Sequence, residues 1–398
     1  MFSRTDRSIL GIWWWTVDRG ILLATTALIV FGIFLVMAAS PPVADRIGFD
    51  SQHFVMRHGL FLLPTIGFLL VTSTLSHRFI RIFGLLGLIG SILFILIAIF
   101  FGPEVKGATR WIPLGPFKLQ PSEFAKPCFA IVTAWLLSLW REEKNFPGWI
   151  ISMACLAVLA GLLVLQPDMG MTFVIVLTWA LQIFLAGMPL AIVLVLAFVL
   201  APAVAVTAYF ALPHVQTRVT KFWEGGNMQA DNAIRSFSNG GLYGAGPGNG
   251  EVKYHLPDAH ADFIFAVAGE EFGAIACLII IGFYAFIVFR GFTKAYRSEN
   301  LFLVLAIAGI SMQFGLQAAI HMASSVHLIP TKGMTLPFMS YGGSSMLATG
   351  ITVGVLLALT RSNPLSPSSP SGPSGTPSAA RRQRPVRAPH AEKWEEAV

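Results

Sequence analysis

The chain is 398 residues long, 55% hydrophobic and only 12% charged, with a formal net charge of +7. That balance excludes an ordinary soluble enzyme and points to a protein that crosses the membrane many times. The excess positive charge fits membrane topology and an anionic substrate; nothing separate supports nucleic-acid binding.

Windows of roughly 20 apolar residues give about ten candidate spans. They lie near 20–40, 56–75, 82–101, 123–140, 148–166, 169–187, 189–210, 263–289, 301–322 and 342–360. The fold class expected is an all-α integral membrane protein. Residues 1–19 read as a cytoplasmic lead, 20–362 as the membrane domain, and 363–398 as a disordered Pro/Ser/Arg-rich cytoplasmic tail. The run Gly20 to Ala39 is longer than a signal-peptide core and reads as a spanning anchor, with Trp13, Trp14 and Trp15 before it as interfacial aromatics. An even number of spans puts both termini on one side. The short basic loops His77-Arg78…Arg81 and Arg290…Lys294…Arg297 make that side the cytoplasm. Cys128, Cys155 and Cys277 all fall within spans, with no CxxC pair, so disulfides are not expected.

Three outward segments are long, and long loops tend to carry function. The first, Gly102 to Ser122, holds Lys106, Arg110, Trp111 and Lys118. It runs into Gln120-Pro121-Ser122-Glu123-Phe124-Ala125-Lys126, where Ser122 can cap the next helix and Glu123 and Lys126 form an i,i+3 pair. That pair either fixes helix orientation or lines a polar cavity that holds substrate, and both can be true. Gln166-Pro167-Asp168-Met169-Gly170 then breaks a long apolar stretch, with Asp168 favoured as a helix cap.

The largest outward segment, 211–261, separates the seventh and eighth spans. It carries Arg218, Lys221 and Arg235, whose charge in an outward cavity suits a diphosphate, a solvated basic loop being the alternative. The Gly-rich run from Gly240 to Gly250 lacks nucleotide-loop spacing and reads as tight turns and close backbone approach. The segment ends in Leu256-Pro257-Asp258-Ala259-His260-Ala261-Asp262-Phe263, where a polar loop enters an apolar helix. Asp262 is either a helix cap or a functional carboxylate at the membrane boundary. The third segment, 323–341, holds Lys332 and Leu336-Pro337-Phe338-Met339-Ser340-Tyr341; His321 before it reads as a satisfied intramembrane histidine.

Together, Gln120–Lys126, Gln166–Gly170, Leu256–Glu271 and Pro330–Ser345 resemble the SEDS family (shape, elongation, division and sporulation) over about residues 18 to 362. Thr331-Lys332-Gly333 before Leu336-Pro337-Phe338 is more similar to the division member than to the elongation member. The resemblance implies a polytopic glycosyltransferase that polymerises lipid II into glycan on the outer leaflet of the inner membrane, at the septum. The family's essential acidic residue maps onto Asp262 and its ion pair onto Glu123 and Lys126. The implied partners are lipid II, undecaprenyl-diphosphate-linked glycan, a class B penicillin-binding protein and other division proteins.

Asp262 is then the candidate base, and Arg218, Lys221, Lys332 and Arg110 are candidates for holding diphosphate. Glu123, Lys126, His260 and Ser340 complete the expected substrate site. No cofactor is assigned; a divalent cation could assist, although no ligand cluster is visible in the sequence. Ala261 stands where the family usually has Thr, and His321 where Asn is common. A lipid flippase or transporter, a non-catalytic scaffold, and an elongation polymerase are the competing readings.

Overall fold

Helices dominate the computed structural model, which describes residues 8–361 apart from 106, 116, 196–209, 211–215, 217–219, 221–227 and 331–332. The expected tail, most of the seventh span, and Arg218, Lys221 and Lys332 lie outside the described residues. A short interfacial helix, α1 (Ile9–Thr16), carries the three tryptophans. The helices that follow are α2 (Arg19–Ile47), α3 (His53–Ser73), α4 (His77–Phe101), α5 (Pro121–Glu142), α6 (Gly148–Leu165) and α7 (Met169–Leu185). After the large outward segment, which includes α8 (Met228–Gly240), come α9 (Ile264–Tyr296), α10 (Leu301–Ser325) and α11 (Gly343–Leu359). Six of these are long and apolar enough to cross a bilayer, and α7 and α11 are shorter apolar helices. The protein is an all-helical membrane protein in its body; among the described residues a small hairpin pairs β1 (Ile112–Leu114) with β2 (Phe117–Leu119).

Local chemistry explains where the helices begin. Asp18 caps α2, accepting from the Gly20 and Ile21 N–H groups at 3.0 and 3.1 Å, and Asn300 caps α10. Asp168 caps α7 through the Met171 N–H, as its position after Pro167 suggested. Ser122 does not cap α5: the N-cap is Gln120, and Pro121 occupies the first turn, where a missing N–H costs nothing.

Packing depends on small residues, because lipid offers no hydrophobic drive between helices. Gly350 and Gly354 lie one turn apart on α11 and face α3. A β-carbon on them would come within 2.6 Å of the Thr65 carbonyl oxygen and 2.0 Å of Thr72 Oγ1. α5 and α10 form the buried centre, with Phe129 and Phe302 fully enclosed. At the end of the bundle away from Asp262, Asp18 accepts from Arg290 Nε at 2.7 Å and pairs with Lys294 at 3.2 Å, tying the start of α2 to the end of α9.

The eighth span differs from the expected 263–289. α9 is interrupted at Gly273, whose φ of 78° and ψ of 179° no helix adopts. The stretch from Ala274 to Tyr296 is about 34 Å long at 1.5 Å per residue, enough to cross the bilayer unaided. Ile264–Phe272 is therefore free to set the preceding turn.

Candidate active site

The break in α9 is filled by the Gly-rich segment. Ala245 and Gly246 donate their N–H groups to the Glu270 and Glu271 carbonyls at 2.9 and 3.1 Å, while Ala274 N–H donates to the Gly241 carbonyl at 2.9 Å. Backbone groups released by the interruption are thus satisfied by the loop. The two buried glutamates hold the same segment by their side chains. Glu270 accepts from Asn239 Nδ2 and from the Val252 and Lys253 N–H groups at 3.0, 2.7 and 3.0 Å. Glu271 accepts from the Gly248 N–H at 3.1 Å and forms a buried ion pair with Lys253. A buried charge pair is stable only when its remaining hydrogen bonds are met, and here they are.

From that clasp the chain runs through a single 3₁₀ turn, Val252–His255, into the 256–263 turn. Asp258 adopts φ 54°, a conformation Asp tolerates better than most residues, and its carbonyl accepts from both Ala261 and Asp262 N–H groups at 2.9 Å. The N-cap of α9 is Phe263, so Asp262 sits one residue ahead of the capping position. Its side chain is half-buried.

The 333–341 loop closes over this turn. Ser340 Oγ donates to the Ala261 carbonyl at 2.7 Å while accepting from the Leu336 N–H at 2.8 Å. Tyr341 N–H donates to the His260 carbonyl at 2.9 Å. Gly333 lies against the carboxylate: a β-carbon there would be 3.5 Å from Asp262 Oδ2. The buried His260 ring packs on Phe54 at 4.1 Å between centroids and on Tyr341 at 5.2 Å, which joins the outer end of α3 to the site.

Below the loop a polar chain runs through the membrane interior. Lys126 pairs with Glu123 at 2.7 Å and donates to Gln317 Oε1 at 2.5 Å; Gln317 Nε2 donates to the Thr335 carbonyl at 3.0 Å. Beside the loop, Leu60, Phe61, Leu63, Pro64, Phe117 and Lys118 line a largely apolar groove of about 560 Å³ between α3, the hairpin and α11.

Comparison with known proteins decides the family. The model of the FtsW, RodA and SpoVE cell cycle proteins matches residues 19–364. The chain belongs to this FtsW/RodA/SpoVE family, the SEDS family. Among its relatives, the probable peptidoglycan glycosyltransferase FtsW of Caulobacter vibrioides is 42% identical over 91% of this chain and 94% of that protein. The FtsW of Escherichia coli O6:H1 is 34% identical over 86% and 85%. Among solved structures, one of a peptidoglycan synthase complex that coordinates polymerization and crosslinking has a TM-score of 0.72 at 25% identity, covering 86% of this chain and 97% of that one. The rod shape determining protein RodA of Thermus thermophilus superposes with a TM-score of 0.66 at 24% identity, covering 87% and 97%.

Set in this SEDS fold, the expected site residues fall into groups. Asp262, His260 and Ser340 come together at the turn, and Glu123 and Lys126 connect to it from beneath through Gln317. Ser340 stitches two loops, accepting from the Leu336 N–H and donating to the Ala261 carbonyl. Arg110 is buried and turned away: its Nε donates to the Gln166 carbonyl at 3.0 Å, its Nη2 to the Pro167 carbonyl, and it lies 3.9 Å from Asp168. It braces the 166–168 turn. Arg57, half-buried one turn after Phe54 on α3, and Lys118, at the groove, are further cations that the sequence reading did not assign to substrate. The cluster His53…Arg57-His58 at the start of a span was the available signal for Arg57. Among the described residues no group of three or more His, Cys, Asp or Glu could hold a metal ion.

Proposed function

We propose that this chain polymerises lipid II at the outer face of the membrane with Asp262 as general base. The chain is a peptidoglycan glycosyltransferase of the SEDS family that serves cell division. The observation that carries the assignment of Asp262 is its placement: a half-buried carboxylate where the 256–263 turn, the 333–341 loop and the end of α3 meet. The 4-hydroxyl oxygen of one lipid II attacks the anomeric carbon of the growing strand. The anomeric carbon–oxygen bond to the diphosphate breaks, Asp262 takes the hydroxyl proton, and undecaprenyl diphosphate leaves with the bond's electrons. One base and one displacement invert the anomeric centre, in contrast to the two-step retaining route.

Developing charge on the leaving diphosphate calls for cations nearby. Lys332 directly precedes Gly333 in the chain, and Gly333 packs beside Asp262. Arg57 and Lys118 add charge at the outer end of α3 and at the apolar groove, which suits a polyprenyl tail entering from the bilayer with its phosphates at the mouth. Arg218 and Lys221 belong to the same outward segment. The exposed Leu242, Tyr243 and Tyr254 on that segment suit a crosslinking partner of the class B penicillin-binding type. Both termini then face the cytoplasm and the site faces outward at the septum.

The test is glycan formation from labelled lipid II by the protein purified with its cognate transpeptidase. Asp262→Asn is expected to lose activity by about 10²- to 10⁴-fold, the range typical of a lost general base, while inserting and folding normally. Wild-type turnover by that variant would end the assignment.

A further inference from the structure

Two side chains of α10 hold the 333–341 loop from the membrane side. Gln317 and His321 are four residues apart on one helix face and both are buried. Gln317 Nε2 donates to the Thr335 carbonyl at 3.0 Å. His321 Nδ1 lies 2.6 Å from the Met334 carbonyl, and since a carbonyl only accepts, that nitrogen carries the hydrogen. The two residues thereby bind consecutive carbonyls of the loop. The next residue upstream, Gly333, is the one that packs against Asp262.

Charge balance does not explain Gln317. Lys126 is already neutralised by Glu123 at 2.7 Å, yet Gln317 spans from the lysine to the loop with its two amide ends on different elements. Tyr284 of α9 adds a third contact, its hydroxyl donating to the Pro337 carbonyl at 2.6 Å. Loops that carry catalytic geometry need such support, because small displacements are costly in rate.

We infer that Gln317 and His321 are positioning residues for the polymerase reaction, a two-point grip that sets the 333–341 loop against the Asp262 carboxylate. The inference rests on Asp262 as the base.

The decisive variant is Gln317→Glu, assayed in the complex with the transpeptidase alongside Asp262→Asn. Glutamate keeps an oxygen for Lys126 and loses the amide N–H that holds the Thr335 carbonyl. Because it also adds a carboxyl beside the already neutral Glu123–Lys126 pair, His321→Leu, which adds no charge, is assayed with it and must show the same split. The expected result is a fall in kcat on the order of 10- to 100-fold with KM for lipid II within about twofold of wild type, in protein that remains monodisperse. Wild-type kcat, or a raised KM at unchanged kcat, overturns the proposal. His321→Leu removes the other contact alone, with His321→Asn restoring kcat, and carries the test by itself if Gln317→Glu does not reach the membrane. His321→Leu at wild-type kcat overturns the grip equally. An inactive Asp262→Asn beside a fully active Gln317→Glu refutes the grip and leaves the base standing. A fully active Asp262→Asn removes the base and the grip with it.

Discussion

At Glu123 and Lys126 the membrane makes a simple arithmetic of charge visible. Each alone would be an ion in hydrocarbon; together, with Gln317 completing the lysine's shell, they are tolerated 2.7 Å apart and almost fully buried. Glu123→Gln is expected to destabilise the protein by about 3–5 kcal/mol, because Lys126 is left uncompensated. Glu123→Gln combined with Lys126→Met should recover most of that loss, measured by thermal unfolding in detergent. Recovery of stability without recovery of activity would separate the pair's structural part from its link, through Gln317, to the site.

α9 shows how an element can be specified by its interruption. Residue 273 must adopt φ 78°, and a β-carbon there would meet the Leu242 carbonyl oxygen at 2.4 Å and Gly244 N at 2.5 Å. Gly273→Ala should therefore cost at least the 1–3 kcal/mol or so of backbone strain alone, seen as a lowered melting midpoint, and should reduce polymerisation by loosening the segment that leads to Asp262. The neighbouring Lys253–Glu271 pair closes the same junction. Gly240 and Gly244 make sense only against this break: a β-carbon on them would come within 2.0 Å of the Gly269 carbonyl oxygen and 2.1 Å of the Glu271 carbonyl oxygen.

Across the whole molecule, the two ends of the bundle are fastened differently. At the Asp262 end, loops are held mostly by hydrogen bonds to backbone; at the other end, ion pairs of Asp18 with Arg290 and Lys294 tie α2 to α9. Burial pushes the Asp18 carboxyl up, but Arg290, the Ile21 N–H and Lys294 together hold it below the ordinary value of 3.8. A lowered carboxyl stabilises the fold above its unfolded-state value and loses that contribution as pH falls through the folded-state value. The difference in melting midpoint between wild type and Asp18→Asn should therefore be constant above about pH 4 and shrink below it. A gap that persists to the lowest pH would assign the stabilisation to packing.

Much of the fold was legible because hydrocarbon imposes a length and a composition that a sequence must meet on its own: α2, α3, α4, α6 and α10 follow from runs of apolar residues. Asp168 as a cap and the Asp262 turn were also readable, since both depend on neighbours within a few residues. Residues far apart in the chain decided the remainder. Arg110 could not be told from a ligand-binding arginine until the 166–168 turn was found against it, and Gln317 carried no signal of its own. The break at Gly273 was hidden inside an apolar run because hydropathy records solvent preference and not backbone direction. Only when the 240–246 segment is folded back onto α9 does a glycine there become a requirement. Sequence by itself determined that this protein lives in the membrane and that the Asp258–Asp262 turn carries acid where a polar loop enters an apolar helix. Tertiary structure decided which polar groups reach that turn, because hydrogen-bond partners across tens or hundreds of residues are set by packing.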